Sequence, residues 1–147
     1  IYLQKRIPMG AGLGGGSSNG AFMLTGLNSY FNLDLSVSEL ENYALEIGSD
    51  CPFFIENKPK FVEGKGEVLT EVSVSLSGYY IVLINPFIHI STQQAFSNLT
   101  LTEKSPHLLK KLITETQIST WKETVFNDFE KGVFVQFPEI KNIKDSI

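Results

Sequence analysis

A mixed fold of helices and strands is what this sequence predicts, and three observations carry the prediction. Residues 1–7 alternate loosely and stop at Pro8, as a strand does on entering a loop. Apolar residues then recur every three or four positions over two stretches, 17–31 and 36–47, which is the period of helices. A compact apolar run at 79–84 has the length and composition of a buried strand.

The segment between the first strand and the first helix is MGAGLGGGSSNG, with five glycines between Met9 and Ser17. Regular structure does not tolerate that density, because each glycine adds backbone entropy that folding must remove. Ala21, Leu24, Leu27, Asn28 and Phe31 give the helix that follows about four turns, with Ser17 or Ser18 near its N-cap. In the second helix Ser36 precedes Glu39 at capping-box spacing, Leu40, Tyr43, Ala44 and Ile47 form the apolar face, and Gly48 ends it. Gly64 and Gly66, within KFVEGKGEVLTEV, mark a turn. Past Pro86 the expectation is mainly helical, with helices near 91–98, 105–116, 119–132 and 138–147. Trp121, Phe126 and Phe129 have the spacing of a packed helical face, and a serine-rich turn at 75–78 marks a boundary.

Composition narrows the function classes. At 147 residues, with 42% hydrophobic and 19% charged side chains, the chain is long enough for one ordinary core and is not disordered or collagenous. Twelve basic against sixteen acidic residues argue against wrapping a nucleic acid. The single cysteine, Cys51, allows no internal disulfide and fits a reducing cytoplasm, while no apolar run reaches membrane-spanning length. His89 and His107 stand alone, away from any partner at zinc spacing. The first residue is not methionine and the last helix lacks a C-cap glycine, so both ends are expected to be cut.

A strand, closely spaced glycines and a helix start gather backbone N–H groups around a hollow that an anion can enter. The helix adds about half a positive charge at its start. Ser17 and Ser18 bring hydroxyls for a phosphate oxygen or a magnesium ion. The P-loop pattern is excluded because Ser17 follows Gly16 with no lysine between them. The dinucleotide fingerprint is met nominally by Gly10, Gly12 and Gly15, but no acidic residue closes a second strand about twenty residues on. A glycine-rich turn serving tight packing alone is the plainer alternative. Asp50, between the helix-ending Gly48 and Pro52, sits on a constrained turn, where the plainer job of an Asp is to cap the short CPFF turn.

PMGAGLGGGSSN, at 8–19, resembles the ATP phosphate loop of the GHMP small-molecule kinases. GSDCPFF at 48–54, FVEGKGEVL at 61–69, NPFIHISTQQAF at 85–96 and NDFE at 127–130 carry the resemblance over nearly the whole chain. Ser49 and Gly20 depart from the family's commoner residues. The resemblance implies an α+β fold: residues 1–76 as part of an N-terminal domain like the second domain of ribosomal protein S5, and 77–147 as the start of a ferredoxin-like C-terminal domain. It implies that Pro8, Met9, Gly10, Ala11, Gly12, Leu13, Gly14, Gly15, Gly16, Ser17 and Ser18 grip the phosphates of ATP, with Mg2+, and that Asp50 is the general base. The resemblance also implies that Thr92 and Phe96 are substrate-facing, Thr92 as a hydrogen-bonding group and Phe96 as a platform for a cytosine, although read alone Phe96 is a packed residue of a short helix. No residue is singled out for the metal, and Cys51 reads as packed rather than nucleophilic.

The third glycine of GLGGGSS and the GSDCPFF segment resemble in particular the branch of that family acting on a cytidine diphosphate-linked methylerythritol, which implies a role in non-mevalonate isoprenoid (terpenoid) biosynthesis. Two alternatives stay open. One is another kinase of the family, taking mevalonate-like or homoserine-like alcohols. The other is an inactive nucleotide-binding fragment, because the family's N-terminal lysine and C-terminal glycine motif have no match here. The 147 residues alone are expected to show little or no kinase activity, and unpaired strand edges favour association or a homo-oligomer.

Overall fold

The computed structural model describes residues 2–7, 11–97, 99 and 106–147. Two compact units divide the chain, Ile1–Ser75 and Leu76–Ile147. The first holds α1 (Gly15–Phe31), α2 (Val37–Ile47), the short α3 (Phe53–Glu56) and an antiparallel hairpin of β1 (Lys60–Glu63) and β2 (Val68–Glu71). Lys60 pairs with Glu71 and Glu63 with Val68, so the hairpin turns through four residues. The second holds α4 (Thr92–Ser97), α5 (Pro106–Glu115), a 3-10 turn (Ile118–Thr120), α6 (Trp121–Thr124), α7 (Glu130–Gln136) and α8 (Pro138–Asp145).

The core of the described residues lies in the first unit, where Ala21 of α1, Leu40 and Ala44 of α2, Cys51 and Phe61 are buried. Small residues at 21 and 44 let α1 and α2 approach closely. Their connection is clamped by Asn28, whose side chain donates to the Leu35 carbonyl at 3.1 Å and accepts from the Leu35 N–H at 3.0 Å. Asn28 thus serves the loop and not the apolar face its spacing suggests. Leu27 and Phe31, assigned to the same face, are exposed. The predicted cap of α2 forms in full: Ser36 Oγ accepts from the Glu39 N–H while the Glu39 carboxylate accepts from the Ser36 N–H.

Lys60 ties the hairpin to both neighbouring helices. Its side chain is only 4% exposed, and its ammonium lies 2.8 Å from Glu41 of α2 and 2.7 Å from Glu56 of α3. Burial disfavours the charged ammonium, but the hydrogen bonds to Glu41 and Glu56 outweigh it and hold Lys60 above the ordinary lysine value. Hydrogen bonds from Lys58 first, and then Lys60, hold the Glu56 carboxyl well below the usual range, at about 2. A depressed carboxylate stabilises the fold fully above its unfolded value, near 4.5, and ceases to do so as pH falls through the folded one. The first unit is therefore expected to lose stability progressively between pH 4.5 and about 2, with the Glu56 carboxyl resonance titrating near 2. A Glu56 titration in the ordinary glutamate range would contradict this.

Three expectations need correction. Residues 2–7 and 79–84 are not strands, and Tyr80, Ile81 and Val82 are over 80% exposed. An apolar run becomes a strand only when another strand accepts its backbone hydrogen bonds, and among the described residues only β1 and β2 pair. The helix start moves from Ser17 or Ser18 to Gly15, with Gly14 as N-cap. The single helix expected at 119–132 is broken, because Val125 turns extended and Asn127 Oδ1 accepts the Phe129 N–H at 3.1 Å, an Asx turn that competes with the helix.

Candidate active site

The loop into α1 is shaped by backbone conformation. Gly12 and Gly14 have positive φ, 69° and 64°. At Gly14 two constraints coincide: a side chain there would be strained, and its Cβ would stand 2.9 Å from the Phe54 ring. Phe54 of α3 therefore packs on the N-cap of α1. Gly16 has open space where a Cβ would project, and so has Gly12.

Because α1 starts at Gly15, its first N–H groups have no carbonyl four residues back. The Ser18 N–H already donates to the Gly14 carbonyl at 2.8 Å. No acidic residue stands in the first turn, and the Lys5 ammonium lies 3.4 Å from the Gly15 carbonyl oxygen. The electrostatics of this helix start suit an anion. Ser17 and Ser18, half-buried, fall inside the first turn and not before it. Ala11, Gly12, Leu13, Gly14, Gly15 and Gly16 thus line one bend and helix start, while Pro8, Met9 and Gly10 lie outside the described residues.

Asp50 occupies the turn between α2 and α3. The Cys51 N–H donates to the Gly48 carbonyl at 3.0 Å, and the Phe54 N–H to the Cys51 carbonyl at 3.0 Å. Cys51 is buried, its Sγ 3.5 Å from where a Cβ on Gly48 would stand and 3.7 Å from the same point on Gly20 of α1. The turn is therefore docked on α1 through Cys51 on one side of Asp50 and through Phe54 further on. Pro52 is the N-cap of α3, without a side-chain hydrogen bond, so Asp50 does not do the capping job of the plainer reading. Among the described residues its exposed carboxylate has no hydrogen bond or ion pair.

Thr92 and Phe96 belong to the second unit, as the first and fifth residues of α4. Phe96 is 59% exposed and meets Phe129 edge-on, with ring centroids 5.0 Å apart. Phe54, which shapes the loop, was not singled out in the sequence; its place just after the Pro52 turn was the available signal. Among the described residues no group of three His, Cys, Asp or Glu could hold a metal ion, and no helix is long and apolar enough to cross a membrane.

Comparison with known proteins finds curated relatives along the whole chain. Over all 147 residues the chain is 50% identical to the 4-diphosphocytidyl-2-C-methyl-D-erythritol kinase of Bacteroides fragilis, matching 53% of that protein. It is 48% identical to the kinase of that name from Bacteroides thetaiotaomicron, with 98% of this chain and 52% of the relative aligned. The corresponding figures for Azobacteroides pseudotrichonymphae are 45%, 100% and 55%. The chain spans about half the length of the curated relatives it matches. Residues 1–58, which contain the loop, α1, α2, Asp50 and α3, match the GHMP kinases N terminal domain.

Proposed function

We propose that the protein transfers a phosphoryl group from ATP to the 2-hydroxyl of 4-diphosphocytidyl-2-C-methyl-D-erythritol, a step of isoprenoid biosynthesis. One observation carries the reading: a turn bearing an unpartnered carboxylate is docked against the helix that an open glycine loop begins, within the residues that match the kinase domain. Phosphoryl transfer depends on positioning and charge stabilisation more than on covalent chemistry, and these parts supply both.

The residues fit a triphosphate. The bend at 11–14 and the open Gly12 and Gly16 leave room for phosphate oxygens, and the first N–H groups of α1 donate to them. Pro8, Met9 and Gly10 complete the loop in this reading. Ser17 and Ser18 are the hydroxyls available to a magnesium ion carried on the nucleotide. That ion, when bound, neutralises charge on the phosphates. Asp50 accepts the proton of the substrate hydroxyl as its oxygen bonds to the γ-phosphorus and the bond to the departing ADP breaks. Phe96 and Thr92 are the residues proposed to recognise the cytosine.

In the same reading residues 1–76 form part of an N-terminal domain like the second domain of ribosomal protein S5, and 77–147 begin a ferredoxin-like domain. The family's additional lysine and second glycine motif have no match in these residues, so the 147 residues alone are proposed to turn over little. The test uses the complete protein with ATP and three alcohols: the cytidine diphosphate-linked methylerythritol, mevalonate and homoserine. We expect kcat/KM for the first to exceed the others by about 10⁴, because a site built to hydrogen-bond a polar group rejects ligands that lack it. Phe96→Ala should raise KM for that substrate about tenfold and leave KM for ATP unchanged. Preference for either of the other alcohols would reassign the substrate.

A further inference from the structure

The four residues that close the β1–β2 hairpin, 64–67, include two glycines at positive φ, Gly64 at 70° and Gly66 at 116°. The Gly66 N–H donates to the Glu63 carbonyl at 3.3 Å, which closes the turn. Although it lies at a hairpin tip, Gly66 is buried. The tip is pressed on the main chain of Ser49: a Cβ on Gly66 would overlap the Ser49 carbonyl oxygen and stand 2.7 Å from the carbonyl carbon. A Cβ on Gly64, in contrast, would press first on the Glu67 carboxylate, an exposed group that accepts the Lys65 N–H at 2.5 Å within the tip.

The Ser49 carbonyl belongs to the peptide bond that carries the Asp50 nitrogen, so whatever fixes that carbonyl fixes the backbone from which the Asp50 side chain departs. The hairpin is a firm support, because Lys60 anchors β1 to α2 and α3, the two helices that flank the Asp50 turn. Cys51 holds the following residue against α1. Asp50 therefore stands between two packing contacts, the Cys51 sulfur on one side and, on its N-terminal side, the main-chain contact that Gly66 makes.

We infer that Gly66 is a positioning residue for Asp50: lacking a side chain, it lets the hairpin tip lie against the Ser49–Asp50 peptide and so sets where the carboxylate stands. This rests on Asp50 as the proton acceptor and adds the element that aims it. A displacement of about 1 Å in a reacting group costs up to about a hundredfold in rate.

The test compares Gly66→Ala, Gly64→Ala, Asp50→Asn and the double variant Gly66→Ala/Asp50→Asn in the complete protein. Both alanines meet positive-φ strain, the greater at Gly66, whose 116° lies beyond the left-handed region that Gly64 borders at 70°, and Gly66→Ala is the one that pushes on Ser49. Gly66→Ala should lower kcat about ten- to a hundredfold with KM for ATP within about twofold, and Gly64→Ala should stay within about twofold of the parent in both. Added to Asp50→Asn, Gly66→Ala should cost nothing further, because the group it displaces is already disabled. Equal losses in the two alanine variants, or a full additional loss in the double variant, would overturn the inference while leaving Asp50 as base intact. Undiminished turnover in Asp50→Asn would instead sink the reading of the base itself. Should Gly66→Ala fail to fold, Ser49→Gly loosens the same peptide without added bulk; a severalfold lower kcat at constant KM is expected, and a parental kcat overturns the inference.

Discussion

Replacing Asp50 by Asn in the complete protein should lower kcat by about 10²- to 10⁴-fold, the usual contribution of a positioned general base. Asparagine keeps the size and the turn but cannot accept the proton of an attacking hydroxyl. The carboxylate is exposed and unpartnered among the described residues, so no ion pair is lost and folding stability should change by less than about 0.5 kcal/mol. The proposed triphosphate cradle lies in the loop and in the first turn of α1, so the dissociation constant for ATP should stay within about twofold. Single-turnover kinetics with isothermal titration of the nucleotide would check both halves. Loss of nucleotide binding equal to the loss of turnover would mean that Asp50 supports the loop and not the chemistry.

The largest expected effect on stability belongs to Lys60. Removing one partner of a fully buried ion pair costs about 3–5 kcal/mol, because the remaining charge is stranded. Here Glu41 and Glu56 keep 25% and 22% of their side-chain surface in water and can turn toward it, and Glu56 retains Lys58 at 2.9 Å. Lys60→Met is therefore expected to cost about 2 kcal/mol, with a melting midpoint lower by roughly 10 °C for a unit of this size. Adding Glu41→Gln should recover part of that loss by removing the carboxylate that, among the described residues, has no ion pair besides Lys60. Differential scanning calorimetry of the parent and both variants tests this, and an unchanged midpoint for Lys60→Met would show that the cluster contributes nothing net.

What could be read from the sequence was what neighbours along the chain decide. The Ser36–Glu39 box, the stop at Gly48 and the turn at Gly64 and Gly66 follow from contacts within a few residues, and all three are present. α1 starts earlier than the capping preference of serine suggests, because a left-handed Gly14 packed under Phe54 makes the cap. The run at 79–84 read as a strand because its residues are apolar, but strand formation is decided by a partner elsewhere. The hairpin at 60–71 was legible only as a turn, since its strands are four residues each. At the candidate site, the glycine density and the constrained Asp50 were visible. The packing of Phe54 on Gly14 and of Gly66 on Ser49 joins residues about forty and seventeen positions apart, and no local pattern announces it.

Cys51 has a use that follows from its burial. At 2% exposure, with its sulfur against Gly20 and Gly48, the thiol meets an alkylating reagent only when α1 and the end of α2 part. The rate of alkylation in native buffer is thus a clock for that opening, and among these 147 residues the signal belongs to Cys51 alone.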